Sequence, residues 1–158
     1  MKKIALTVRT AIERALEKFN LPNDEAIVRL LLMISAHESR GFVCCKQLNG
    51  GPAIGLFQME PNTFDFVQGY LTRTNKFPLI SRSMIVERLL IDVEFAAAMA
   101  RVYLWTEPTP LPDADDLQGL AEYASKFWNR GGKGEPHEYL NDFLTHVWGE
   151  PILDKGEK

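Results

Sequence analysis

From Asp24 to Ser39 the chain is apolar on almost every side, because Ile27, Val28, Leu30, Leu31, Leu32, Met33 and Ile34 leave only Glu25 and Arg29 for a polar face. A helix with that pattern has to be buried, since no single stripe absorbs so much apolar surface. The remainder of the 158 residues must therefore be arranged around it. That length suits one domain, core about 4–148, with enough interior to need neither disulfide nor metal. Ile27, Leu31, Ile34 and Glu38 follow one another along one stripe of the helix. Glu38 thus continues the core-facing side. A carboxylate there can be an ordinary last-turn residue paired with Arg40 or capped by solvent. Otherwise it is partly desolvated and held protonated, which makes it a general acid.

The flanking segments read as further helices. Ile4 to Phe19 is amphipathic, with Ile4, Val8, Ile12, Ala15, Leu16 and Phe19 on one side and Arg9, Glu13, Arg14 and Lys18 on the other. Pro22 breaks it, and Asn23 is placed to cap the apolar helix, with Asp24 and Glu25 in the first turn. Gly41 fits the left-handed position beyond the helix end. Asn49 to Pro52 reads as a turn, and Ile54 to Met59 is too apolar to wave in water, so it is expected to pack and to hold Gln58 in place.

Pro61 starts a helix through Phe64, Val67 and Leu71. After a connection at Asn75 to Ile80, Ser81 or Ser83 can cap a long helix from Val86 to Leu104, expected as the central scaffold. Beyond the stiff Glu107–Pro112 connector, Asp113 or Asp115 can cap a helix leading to Trp128. A Gly-rich turn at Asn129 to Gly134 follows, without phosphate-loop spacing. The last helix, from about Pro136, buries Tyr139, Leu140, Phe143 and Val147, and 149–158 is expected to be a loose tail. No strand pair, repeat or low-complexity tract stands out. The expectation is an all-α fold of about six helices with at most a minor short β element.

Composition narrows the function. A net charge of −3 and a pI near 5.6 argue against a protein that covers nucleic-acid phosphates. Cys44 and Cys45 are adjacent, a strained arrangement for a disulfide, and are expected as free thiols. With no CxxC pair and three histidines, no metal site and no other cofactor are expected. Arg9, Glu13 and Arg14 interrupt the apolar run at the start, so no signal peptide is read there, and no segment reaches the ~20 apolar residues of a membrane span.

Three stretches carry a resemblance. His37-Glu38-Ser39, then Gly55-Leu56-Phe57-Gln58, then Phe127-Trp128-Asn129-Arg130-Gly131 resemble, in order and spacing, the Glu-Ser, GA-x-GLMQ-like and Ala-Tyr-Asn-x-Gly-like motifs of lytic transglycosylases of the soluble-transglycosylase family. The match spans Ile27 to Trp148, and the chain is also similar to goose-type lysozymes. Two positions depart from the pattern: Trp128 stands where the family has Tyr, and Pro52 where it has Gly. The resemblance implies a lysozyme-like helical domain that cleaves the MurNAc–GlcNAc β-1,4 bond of peptidoglycan, or murein. Glu38 would be its acid/base, Ser39 would orient the site, Gln58 would form the floor and Asn129 would line the cleft. Phe57, Tyr123 and Trp128 are candidates to stack on sugars, or are core residues.

A two-carboxylate hydrolase would need a second acid, for which Glu60 and Asp65 are nearest in sequence. Folding alone explains Glu60 as a helix N-terminal residue. The expected reaction is therefore a single-acid one, for which the resemblance implies a 1,6-anhydro product. Its partners would be peptidoglycan glycan strands, with no nucleic acid and no membrane insertion. The expected setting is cell-wall degradation by a chain made in the cytoplasm, as a phage lysin or beside phage particle proteins. The competing expectations are a hydrolytic lysozyme, an inactive glycan-binding or structural module of that fold, and a helical interaction protein whose Glu-Ser is accidental.

Overall fold

The computed structural model describes residues 1–43, 45–46, 50–81, 84–128, 130, 132 and 134–149. The fold is all-α: among the described residues the only β pairing is two isolated antiparallel bridges, Lys46 with Ile54 and Ile54 with Met59. The helices are α1 (Lys3–Lys18), α2 (Glu25–Glu38), α3 (Pro61–Thr74), α4 (Arg88–Ile91), α5 (Val93–Trp105), α6 (Leu117–Tyr123) and α7 (Pro136–Phe143). The last two each run on into a π-helical turn, Ala124–Trp128 and Leu144–Trp148. None is long and apolar enough to cross a membrane.

The apolar run from Asp24 onward takes the position its composition demands. α2 lies against α1, α5, α6, α7 and both π turns. From Ala26 to Ala36 every residue except Arg29 is buried. One continuous core joins α1 (Val8, Ile12, Leu16), α2, α5 and α7 (Tyr139, Phe143). The polar side of α2 is tied down by a relay of ions. Arg9 of α1 grips Glu25 with both terminal nitrogens at 2.8 and 2.6 Å, Arg29 holds the same carboxylate at 3.0 Å, and Arg29 also reaches Asp115 at 2.9 Å. α1, α2 and the segment before α6 are thereby fixed in register.

Several local expectations shift by a residue or more. Asp24, not Asn23, caps α2 by accepting from the Ile27 N–H, and Asp116, not Asp113 or Asp115, caps α6 by accepting from Gly119. The long helix expected from Val86 to Leu104 is two helices. Asp92 is extended at φ −124°, ψ 98°, and its carboxylate accepts from the Phe95 N–H at 2.9 Å and from Arg88 at 3.0 Å. An aspartate competes with the helix for backbone donors, and here it ends α4 and starts α5. Ser81 donates to the Phe77 carbonyl instead of capping, and Ser83 lies outside the described residues. The scaffold role expected of this segment belongs to α2, which contacts more of the other elements.

Two glycines are required by geometry. Gly41 follows α2 at φ +76°, and a Cβ there would stand 2.5 Å from the His146 ring. Gly55 has φ +80°, and a Cβ there would collide with the Leu89 carbonyl oxygen. The first lets α7's extension close over the end of α2; the second seats the 54–59 turn on α4.

Removing the Asp92 cap tests the helix break. Asp92→Ala is expected to cost about 1 kcal/mol, the ordinary value of an N-cap, read as a lower urea midpoint with an unchanged m-value.

Candidate functional site around Glu38

Glu38 is the last residue of α2 and is partly exposed, so the buried helix ends on a carboxyl with one side open. The fully buried Tyr139 of α7 donates its phenol O–H to Glu38 Oε1 at 3.0 Å. Trp128 supplies a second side-chain hydrogen bond, which for an indole is its N–H. Burial pushes the Glu38 carboxyl above its ordinary 4.5, against the opposing pull of His37 and of these two donors. The negative end of the α2 dipole works in the same direction as burial. Burial, then the neighbouring carboxylate, also drives the Tyr139 phenol far up, so it stays neutral and remains a donor.

The turn after Glu38 is unusual. Arg40, Gly41 and Phe42 are all left-handed, at φ 54°, 76° and 68°. A bulky residue in this region costs roughly 1–3 kcal/mol. Ser39 offsets it: its buried hydroxyl donates to the Ser35 carbonyl and accepts from the Phe42 N–H at 2.8 Å. Ser39 therefore shapes the end of α2 from inside, with both hydrogen bonds directed into the backbone.

The second motif forms a turn. The Gly55 carbonyl accepts from the Gln58 backbone at 3.1 Å and from its Nε2 at 2.7 Å, and Gln58 itself is left-handed at φ 48°. Side chains from Ala53 to Met59 alternate between buried and partly buried. Phe57 points inward and meets Trp128 edge-on, ring centroids 6.3 Å apart, which links this turn to the donor on Glu38. Glu60 and Asp65 are exposed. Burial raises the Glu38 carboxyl, whereas Glu25, Asp92 and Glu107 are held low by hydrogen bonds and nearby cations.

The aromatic candidates need correcting. Phe57, Tyr123 and Trp128 are 1, 5 and 9 % exposed, too little to lie flat on a sugar. Tyr123 is a core residue whose hydroxyl donates to the Thr109 carbonyl and whose ring packs on Phe127. Trp128 hydrogen-bonds Glu38 instead, and its ring leads outward through Tyr103 (5.5 Å) to Phe66 (6.1 Å), which is 49 % exposed. Arg130 lies over Tyr103 at 4.6 Å. Asn129 lies outside the described residues, as do Cys44, Gly131 and Lys133. Cys45 is an exposed free thiol.

Tyr139 carries no site signal in the sequence. It falls on the helical period of α7 and reads as core, and only the tertiary approach to Glu38 gives its hydroxyl a role. His37 likewise acquires a partner 105 positions away, Asp142, at 2.7 Å. No His, Cys, Asp and Glu cluster able to hold a metal occurs among the described residues. A cavity of about 570 Å³ opens at the α4–α5 break beside Ile85, Arg88 and Ile91, but none of its lining residues belongs to the Glu38 cluster. No protein-family model matches the chain, and no characterised protein or solved structure matches it either.

Two expected outcomes follow from this geometry. Ser39→Ala removes the acceptor for a buried N–H and is expected to destabilise by about 1–3 kcal/mol in chemical denaturation. Because Glu38 holds its proton more tightly folded than unfolded, stability is complete below pH 4.5 and falls as the pH rises through the raised folded value. Glu38→Gln is therefore expected to melt near the wild-type temperature in acid and above it at neutral pH, with the gap opening above 4.5.

Proposed function

We propose that the chain is a peptidoglycan-cleaving glycosidase whose general acid is Glu38, acting as a lytic transglycosylase on the MurNAc–GlcNAc β-1,4 bond. The observation that carries this reading is a carboxyl at the end of a buried helix, its proton affinity raised by burial, gripped by Tyr139 and Trp128, and still open on one side. Glycosidic oxygen is a poor leaving group and needs a proton as its bond to carbon breaks. A desolvated carboxylic acid delivers one near neutral pH.

In the proposed reaction Glu38 gives its proton to the leaving O4 of GlcNAc while the C1–O4 bond of MurNAc breaks. The acetamido oxygen of the same MurNAc bonds to C1 and holds the positive charge. The Glu38 carboxylate then takes the proton of the C6 hydroxyl, O6 bonds to C1, and the acetamido oxygen is released. No water is consumed and Glu38 ends protonated, ready for another bond. Tyr139 and Trp128, as donors, are suited to stabilise the carboxylate during the interval in which it is charged.

The single-acid route is favoured over a hydrolytic lysozyme because a two-carboxylate mechanism requires a second acid roughly 5–9.5 Å across the cleft. Glu60 and Asp65, the nearest carboxylates in sequence, are exposed on or beside α3, where water surrounds them. Gln58, fixed by its own turn, is the polar group suited to the floor, and the exposed Phe66 is the ring suited to a sugar face.

Purified protein incubated with murein sacculi is expected to release muropeptides with anhydro termini, each lighter by one water than a reducing end. Glu38→Gln is expected to lower that release by at least ~100-fold, the scale of a lost general acid, with an unchanged helical circular dichroism signal. Release by Glu38→Gln at the wild-type rate would remove Glu38 from the mechanism. Binding to sacculi with no release from wild type would select a glycan-binding module instead.

A further inference from the structure

Beside Glu38 lies a second cluster that the proposed proton transfer leaves unused. His37, half-buried one position earlier on α2, has Nδ1 at 2.7 Å from Asp142 Oδ2. Its ring is laid on the Tyr139 ring, centroids 4.0 Å apart. Asp142 turns its other oxygen toward His146 Nε2 at 3.9 Å, and the His146 ring closes on Gly41, the middle residue of the left-handed run after Glu38. One aspartate thus ties two histidines to the turn that carries the acid. The titratable groups that face His37 are Glu38 on its own helix and Glu138, Tyr139 and Asp142 on α7, with His146 on the far oxygen of Asp142.

We propose that His37 is a positioning residue for Glu38: held by Asp142 and backed by Tyr139, its protonated imidazole sets a positive charge beside the carboxylate that forms when the proton leaves. This inference rests on the acid role given to Glu38. Three features make a charge useful there. The carboxyl is largely out of water, where an adjacent cation counts for more than at the surface. It stands at the negative end of a helix, where a cation is favoured and an anion is not. The donors from Tyr139 and Trp128 are neutral, so the leaving proton otherwise exposes an uncompensated charge. Burial works against a charged imidazole, but Asp142, Glu38 and Glu138 outweigh it and raise His37 above 6.5. Its stabilising charge is complete below 6.5 and lost as the pH rises through the folded value.

The test compares wild type with His37→Gln, His37→Lys and Asp142→Asn by two readouts: the pH dependence of muropeptide release, and the NMR titration of the Glu38 carboxyl carbon in the free protein. His37→Gln is expected to move the Glu38 titration and the alkaline limb of the activity profile to higher pH. It is also expected to lower kcat about tenfold, which corresponds to ~1.4 kcal/mol, with KM within about twofold of wild type. His37→Lys, which keeps a charge without the ring, is expected to return the Glu38 titration toward wild type. Asp142→Asn is expected to match wild type in acid, where His37 is charged regardless, and His37→Gln at higher pH.

An unmoved Glu38 titration in His37→Gln, or a fall in activity confined to KM, would overturn the proposal. If His37→Gln does not fold, the titration in Asp142→Asn decides on the same criterion. If wild type releases nothing from sacculi, the glycosidase reading fails separately. The titration then still supports or overturns the charge coupling between His37 and Glu38.

Discussion

Everything near the candidate site depends on the burial of α2. An interior helix surrounded by α1, α5, α6 and α7 cannot rotate to present its last residue elsewhere. Glu38 is therefore delivered to the edge of the core with little freedom, and desolvation follows from position. The neighbouring donors do not cancel it. A carboxyl accepting from Tyr139 and Trp128 would ordinarily titrate low, yet burial wins here. The balance leaves a carboxyl with a raised hold on its proton that is also held in one orientation.

That arrangement works against stability. The folded state carries an ionisable group out of water, three consecutive left-handed residues after it, and a serine hydroxyl committed to the turn that they form. Strain of this kind persists where surrounding structure over-determines the backbone. Here the surrounding structure is specific: Gly41 admits the His146 ring, Ser39 receives the Phe42 N–H, and the Arg9–Glu25–Arg29 relay fixes the far end of the same helix. The ion relay and the acid thus lie at opposite ends of one rigid element.

Much of this was legible in the sequence, for reasons that can be named. Apolar saturation of α2 declared its burial, and the helical stripe through Ile27, Leu31 and Ile34 put Glu38 on the inner side. Gly41 declared the left-handed end. The all-α class followed from periodicity along the whole chain. What was hidden falls into two kinds. The break at Asp92 is invisible to periodicity, because Val86, Leu89, Val93 and Ala97 keep the helical spacing across it while one carboxylate redirects the backbone. Tyr139, Asp142 and Trp128 acquire their roles only through the packing of α7 and the π turn against α2, contacts made across about a hundred positions. The aromatic candidates misled for the same reason: Phe57 and Tyr123 have the composition of a sugar platform but the burial of core residues.

The proposed reaction depends on a Glu38 that carries its proton where an exposed glutamate has begun to lose it. Infrared difference spectra between wild type and Glu38→Gln at pH 4.5, the ordinary midpoint of a glutamate, measure this directly. A difference dominated by the protonated carboxyl stretch, persisting as the pH is raised, is the predicted result. A difference already dominated by the ionised carboxylate at that pH would contradict it.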